Sequence, residues 1–254
     1  MRNIILGMSA LALAAVSAPA FAEEATPAVT ISGGATLVSD YRFRGISQTD
    51  KSFAVQGSMT LTHSSGLYAS VWGSSVDEYV AAASDQEIDF ILGYKKSFGA
   101  TTVDVGVLYY FYPGSGDVVP GYNSDFFEPY VAVSQAFGPV TAKVSAAYAP
   151  KQKALALVNT KDDNLYGALD ISGSIPDTGV SLSAHLGHNF SDDSFLSAGK
   201  DYTDWSLSAS YAWKNLTFGV SYVDTNFAKG ALVSPFSGKD IAKAGVVASV
   251  GVSF

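Results

Sequence analysis

The chain has 254 residues, no cysteine, and 15 Lys+Arg against 23 Asp+Glu for a net charge of −8. That balance excludes nucleic acid as a partner, since a phosphate-binding surface needs clustered cations, and the lack of cysteine removes disulfides and thiolate metal sites. With only 15% charged residues alongside 24 Gly and 14 Tyr, the composition suits strands that turn one face to hydrocarbon and the other to a polar lumen.

The first element is an export signal. Arg2 supplies the charge, residues 4–16 the apolar run, and Ala20-Phe21-Ala22 an A-x-A cleavage site before Glu23. The run is too short to span a membrane comfortably as a helix, so residues 1–22 read as a cleaved signal peptide and 23–254 as the mature domain. No later stretch of roughly 18 apolar residues offers a transmembrane helix.

From Val29 onward about twelve segments alternate with period two, each near the length of a transmembrane strand. The spacing predicts strands near 29–44, 52–63, 66–75, 86–98, 101–112, 125–137, 140–149, 163–174, 179–190, 203–213, 216–226 and 241–254. In the first, Val29, Ile31, Ala35, Leu37, Tyr41 and Phe43 share one face, and Thr30, Ser32, Thr36, Asp40, Arg42 and Arg44 share the other. In the last, Val246, Ala248, Val250, Val252 and Phe254 oppose Gly245, Ser249, Gly251 and Ser253.

The connections alternate in length. Ser64-Ser65, Gly99-Ala100, Gly138-Pro139, 175–178 and Lys214-Asn215 are short and carry turn residues, whereas 45–51, 76–85, 113–124, 150–162, 191–202 and 227–240 are long. Short periplasmic turns and long extracellular loops are the arrangement of an outer-membrane β-barrel, and both termini then lie in the periplasm. Aromatic residues of lipid-facing parity gather at both strand ends, as interfacial girdles require. Tyr41, Phe43, Phe53, Tyr109, Phe111, Phe127, Tyr148, Phe190, Trp205 and Tyr222 are expected at the outer end, and Phe98, Phe137, Trp213 and Phe254 at the inner end. A secreted β-sandwich is the competing fold, but it has no need of two aromatic belts.

The run Ser39-Asp40-Tyr41-Arg42-Phe43-Arg44-Gly45-Ile46-Ser47-Gln48-Thr49-Asp50, followed by Gly66-Leu67-Tyr68-Ala69-Ser70-Val71-Trp72-Gly73-Ser74, resembles the TorF family of proteobacterial porins. The resemblance implies an outer-membrane location and a pore, and supplies no substrate. The terminal Phe254 after alternating apolar residues resembles the assembly signal of outer-membrane proteins, which implies the outer-membrane assembly machinery, lipid and lipopolysaccharide as partners.

Inward parity collects Asp40, Arg42, Arg44, Glu87, Asp89, Lys95, Asp104, Glu128, Lys143, Asp170 and Asp204, charges that suit a wet lumen and not lipid. Most of the remaining inward positions are Ser, Thr, Gly or Ala, which favours a narrow pore for small hydrophilic solutes, with a weak preference for cations or tolerance of neutral solutes. A plug of salt bridges stays open as the alternative: about eight strands make a filled barrel and 16 to 18 a channel, and twelve falls between. Inward Tyr68, Trp72, Tyr110, Tyr112, Phe126, Tyr130 and Tyr166 read either as a slide for a flat solute or, more plainly, as volume filling. Arg42 and Arg44, two apart, are expected to share a face near the outer mouth, where they read either as a site for a carboxylate, a phosphate or lipopolysaccharide or, more plainly, as partners of Asp40, Glu87 or Asp89. Catalysis is not expected: His63-Ser64-Ser65 sits at a periplasmic turn, and neither His185 nor His188 has an evident Ser and Asp set. Asp162-Asp163 and Asp192-Asp193 read as solvated turns and not as metal sites, and no glycine cradle calls for a cofactor.

Overall fold

Alternation with period two becomes a wall only when every strand of it finds two partners, and the twelve long strands here each do. The computed structural model describes residues 28–116, 123–157 and 160–254. In chain order its strands are β1 (Val29–Val38), the two-residue pieces β2 (Arg42–Phe43) and β3 (Ile46–Ser47), then β4 (Ala54–His63), β5 (Leu67–Ser75), β6 (Gln86–Phe98) and β7 (Thr101–Phe111). They continue as β8 (Phe126–Phe137), β9 (Val140–Gln152), β10 (Asp162–Ser174), β11 (Val180–Asn189), β12 (Tyr202–Trp213), β13 (Leu216–Thr225) and β14 (Gly245–Ser253). All but β2 and β3 form one closed antiparallel barrel of sequence neighbours. β1 closes it, pairing with β4 from Val29↔His63 to Val38↔Ala54 and with β14 from Gly34↔Ser253 to Val38↔Ser249. Closure leaves no unpaired edge, the condition for a sheet to stand in hydrocarbon.

Followed once around the wall, the pairings accumulate a stagger of about 16 residues, which for twelve strands tilts them about 40° and sets the backbone about 12 Å from the axis. Such a cylinder is too wide for a single layer of wall side chains to fill.

The outward parity is an apolar belt: Val55, Leu92 and Val144 are each more than 60% exposed. Phe53, Phe127, Tyr148 and Phe190 stand exposed toward the end with the long connections, and Phe98, Phe137, Trp213 and Phe254 toward the end with the short turns. Hydrocarbon is the solvent such a belt fits. The first is called the outer end below, the second the inner.

Two expected strands run too far. β1 ends at Val38, not Arg44, so Tyr41 and Phe43 leave the lipid face: Tyr41 is buried inside the barrel, and Phe43 packs on the same internal cluster. Arg42 and Arg44 consequently share no strand face. The last strand begins at Gly245 and not at 241; Ile241 and Ala242 are buried against the loop that replaces the missing half of β1. The signal peptide and its cleavage point lie outside the described residues, as do residues 117–122 of the long connection after β7.

Candidate functional site

Residues 39–53 form a strap that leaves the wall and folds into the lumen. Ser39 marks the departure: its amide still donates to Ala248 O (2.9 Å) and its hydroxyl accepts from Ala248 N (2.9 Å), ending the β1–β14 ladder. The chain then makes a small hairpin in which Arg42 pairs with Ser47 and Phe43 with Ile46. Its two central residues, Arg44 (φ 47°) and Gly45 (φ 82°), are both left-handed, as a two-residue type I′ turn requires. Glycine suits the second position for another reason too: a Cβ there would lie 2.5 Å from Thr225 Cγ2 and 2.9 Å from Asp204 Cβ.

The hairpin tip drives Arg44 across the barrel to β8. Its Nη2 donates to both oxygens of Glu128, at 2.8 and 2.7 Å, and neither side chain is more than 2% exposed. The guanidinium carbon lies 4.2 Å from the centroid of the Tyr166 ring and 4.7 Å from that of Phe43, distances at which a cation is attracted to an aromatic face. Tyr202 on β12 donates its hydroxyl to Arg44 O (3.1 Å), and Tyr110 on β7 donates to Glu128 Oε2 (3.2 Å).

The rest of the strap is tied down as closely. Arg42 donates through Nε to Asp40 Oδ2 (2.6 Å) and through Nη1 to the carbonyls of Gly45, Ile241 and Lys243. Ser47 donates its hydroxyl to Asp40 (2.6 Å) and its amide to Ile241 O (2.9 Å). Tyr41 and Tyr112 each donate to a different oxygen of Glu87, both at 2.8 Å. At the outer rim, Asp50 accepts from Ser237 Oγ (2.8 Å) and Lys239 Nζ (3.2 Å). Burial raises the Asp50 carboxyl, but the Ser237 hydroxyl and the Lys239 ammonium outweigh it and hold that carboxyl below its usual range.

Apolar packing seals the outer half around these bonds. Tyr41 tilts against Trp72 at 5.4 Å, Phe43 meets Tyr110 edge-on at 6.0 Å, and Tyr110 stacks on Phe126 at 4.2 Å. Val76, Val80, Leu108 and Leu155 complete the cluster. A core of this kind inside a barrel is a plug.

Below the strap the wall changes character. Lys143 bonds Asp170 (2.9 Å), and His185 sits between two carboxylates, with Nδ1 2.7 Å from Asp170 and Nε2 3.1 Å from Asp204. Tyr166 donates to Asp204 Oδ2 (2.8 Å). Nearer the inner end, Lys95 bonds Asp104 (3.0 Å), Tyr68 donates to Asp104 (2.8 Å), and the hydroxyls of Tyr68 and Tyr130 meet. These two rings lie flat on the wall because Tyr68 pairs across the sheet with Gly93, and Tyr130 with Gly106. A Cβ at Gly93 would come within 2.4 Å of Tyr68 Cζ, and one at Gly106 within 2.8 Å of Tyr130 Cζ. The large side chains are thus held out of the bore. A cavity of about 240 Å³ remains, capped by Asp40, Arg42 and Arg44 and walled below by Lys143, Asp170 and His185 together with Ser, Thr, Gly and apolar residues down to Thr217 and Gly251.

The sequence-predicted lumen charges therefore fall into three groups. Asp40, Arg42 and Arg44 ride on the strap; Glu87, Asp89, Glu128 and Asp204 line the outer half, Asp204 beside the hairpin tip; Lys143 and Asp170, with Lys95 and Asp104 beyond them, line the rest. Arg44 pairs with Glu128, not with the Asp89 or Glu87 expected from sequence. Of the aromatic residues, Trp72, Tyr110, Tyr112 and Phe126 belong to the plug, Tyr166 lies under Arg44, and Tyr68 and Tyr130 lie on the wall. Missed altogether were the hairpin, its partner Tyr202, and His185 as the centre of a charge network. Gly45 between Arg42-Phe43 and Ile46-Ser47 was a weak turn signal, without the Asn or Asp that marks such hairpins, and the unbroken alternation of residues 35–44 obscured it. His63 Nδ1 lies 2.8 Å from Ser65 Oγ at an exposed inner turn, and His188 contacts Thr203 on the outward face. Among the described residues neither is paired with a carboxylate, and no group of three acidic, His or Cys side chains could hold a metal ion.

A closed, next-neighbour, antiparallel wall with an apolar exterior and a polar, charged interior is the architecture of outer-membrane β-barrels. The chain belongs to a family described as a bacterial protein of unknown function (Gcw_chp), whose pattern matches residues 22–254. No curated protein matches it. Among solved structures, a protein from a study of the in-meso crystallization of membrane proteins is similar at 9% identity over 88% of this chain and 83% of that one, with a TM-score of 0.51. An outer membrane channel from Pseudomonas putida F1 is 11% identical over 93% and 99% of the two chains (TM-score 0.48). An anion-selective porin from Comamonas acidovorans is 9% identical over 89% and 98% (TM-score 0.40).

Proposed function

We propose that this protein is a passive channel in the outer membrane of a Gram-negative bacterium, passing small hydrophilic solutes along a lumen that residues 39–53 hold narrow at its outer end. The observation that carries this reading is the cavity below the strap. Many of its lining residues are short Ser, Thr and Gly, set among Lys143, Asp170 and His185, whereas a barrel meant to be solid would fill that space with large side chains. The resemblance of residues 39–50 and 66–74 to the TorF porins supports the same conclusion. No step of this function needs a cofactor or a catalytic group. Export through a cleaved signal peptide, insertion by way of the exposed Phe254, and contact of the outer rim with lipopolysaccharide belong to the same reading.

Among the described residues the lumen carries seven carboxylates, Asp40, Glu87, Asp89, Asp104, Glu128, Asp170 and Asp204, against Arg42, Arg44, Lys95 and Lys143, with His185 between Asp170 and Asp204. Its field favours cations and neutral solutes over anions. In a planar bilayer with a salt gradient, the reversal potential is expected on the cation side; clear anion selectivity would sink this part of the proposal. A second reading, a barrel that never conducts, is favoured by one observation: Glu128 and the strap around it are buried as deeply as a protein core. Absence of any conductance with or without the strap would establish it.

A further inference from the structure

The place that Arg44 fills has features beyond those needed to hold a strap. Three carboxylates, Glu87, Asp89 and Glu128, face the lumen from β6 and β8, all at most 7% exposed. The register places them together: Asp89 pairs across to Tyr110, Tyr110 to Phe126, and Glu128 follows two residues along the same face. Glu128 is paired with Arg44, while among the described residues neither Glu87 nor Asp89 carries an ion pair. Glu87 is satisfied by two tyrosine hydroxyls, but Asp89 Oδ1 is buried without a hydrogen-bond partner, and so is Arg44 Nη1. Buried groups of this kind cost free energy until something pairs with them. Arg44 thus answers one carboxylate of the cluster with one of its nitrogens and leaves a buried, unpartnered acceptor in the same cluster. The Tyr166 ring face at 4.2 Å completes the chemistry of a cation receptor: a carboxylate that binds side-on, an aromatic plane and a second carboxylate with an open oxygen.

We infer that this cluster is a binding site for a small guanidinium-bearing cation, and that Arg44 is an internal occupant of it. The proposal rests on the channel reading only for its meaning, since it makes guanidino compounds the solutes that compete the strap away from Glu128. A ligand carrying an ammonium as well as a guanidinium would pair with both Glu128 and Asp89, which Arg44 does not.

The probe is agmatine, titrated calorimetrically into the full-length barrel folded in detergent, with tetramethylammonium at matched ionic strength as the control. Arg44→Ala is expected to bind agmatine saturably and about ten-fold or more tighter than the wild-type chain, because the internal competitor is gone. Adding Glu128→Gln to that variant is expected to weaken binding about ten-fold, and tetramethylammonium is expected not to compete. If Arg44→Ala does not fold, Arg44→Lys keeps the charge but contacts Glu128 through a single ammonium; it should bind agmatine with an affinity above that of the wild type. Equal affinity in wild type and Arg44 variants, no saturable binding to any of them, or binding indifferent to Glu128→Gln would overturn the assignment. The readout is independent of conductance: a barrel that binds but never conducts keeps the site and loses the channel, and one that conducts without binding does the reverse.

Discussion

Arg44 adopts a backbone conformation that costs a non-glycine residue about 1 kcal/mol. The Glu128 ion pair and the Tyr166 face hold it there, and the energetics are lopsided. Burying both charges costs several kcal/mol that their attraction roughly repays, whereas removing one leaves the other desolvated and alone. Glu128→Gln is therefore expected to destabilise the folded barrel by about 3 kcal/mol, read as a lower urea midpoint for unfolding in micelles. A midpoint unchanged within error would mean that the pair is not buried as described. The same residue shows how a side chain's destination can be legible while its partner is not. Parity expects Arg44 and Glu128 in the lumen, but Arg44 reaches it on a hairpin tip and not on a strand face, and choosing Glu128 over Asp89 requires the position of that tip, which strand periodicity does not contain.

At the scale of elements, the eleven strands after the strap begin and end within a few residues of where alternation and turn chemistry put them, because a strand with one face in lipid has its register enforced at every second residue. The first strand and the loop it becomes are the exception. Tyr41 and Phe43 continue the apolar parity of Leu37, so the pattern alone extends β1 to Arg44. What overrules it is that an aromatic residue is equally at home against Trp72 and Tyr110 inside the barrel. The strap's rim anchor has a pH dependence of definite sign. Asp50 has its carboxyl lowered by Ser237 and Lys239, so the anchor is fully present above the ordinary carboxylate range and is lost as pH falls through the lowered folded value. Protease nicking within residues 45–53 of the micelle-bound barrel is expected to rise as pH drops below about 4. Asp50→Asn should show the faster nicking already at neutral pH; identical rates for the two proteins at both pH values would remove Asp50 as an anchor.

At the scale of the whole molecule, twelve strands with a stagger of about 16 residues enclose more space than the wall side chains occupy. Residues 39–53 and the side chains packed on them fill the outer half, while the inner half carries Ser, Thr and Gly among the ion pairs Lys143–Asp170 and Lys95–Asp104. Strand number alone left the choice between pore and plug open; the fold packs the outer half of the lumen and leaves a cavity below it. The strap can be removed without touching the wall, since β1 and β4 are already paired from Val29↔His63 to Val38↔Ala54. Replacing residues 40–51 with a short Gly-Ser turn, and comparing its single-channel conductance with that of the wild-type chain in planar bilayers, is the most direct test. The expected result is small or intermittent current for the wild type and a larger, steady current for the strapless barrel. A strapless barrel that folds, inserts and stays as silent as the wild type would contradict the claim that residues 39–53 are what closes this lumen.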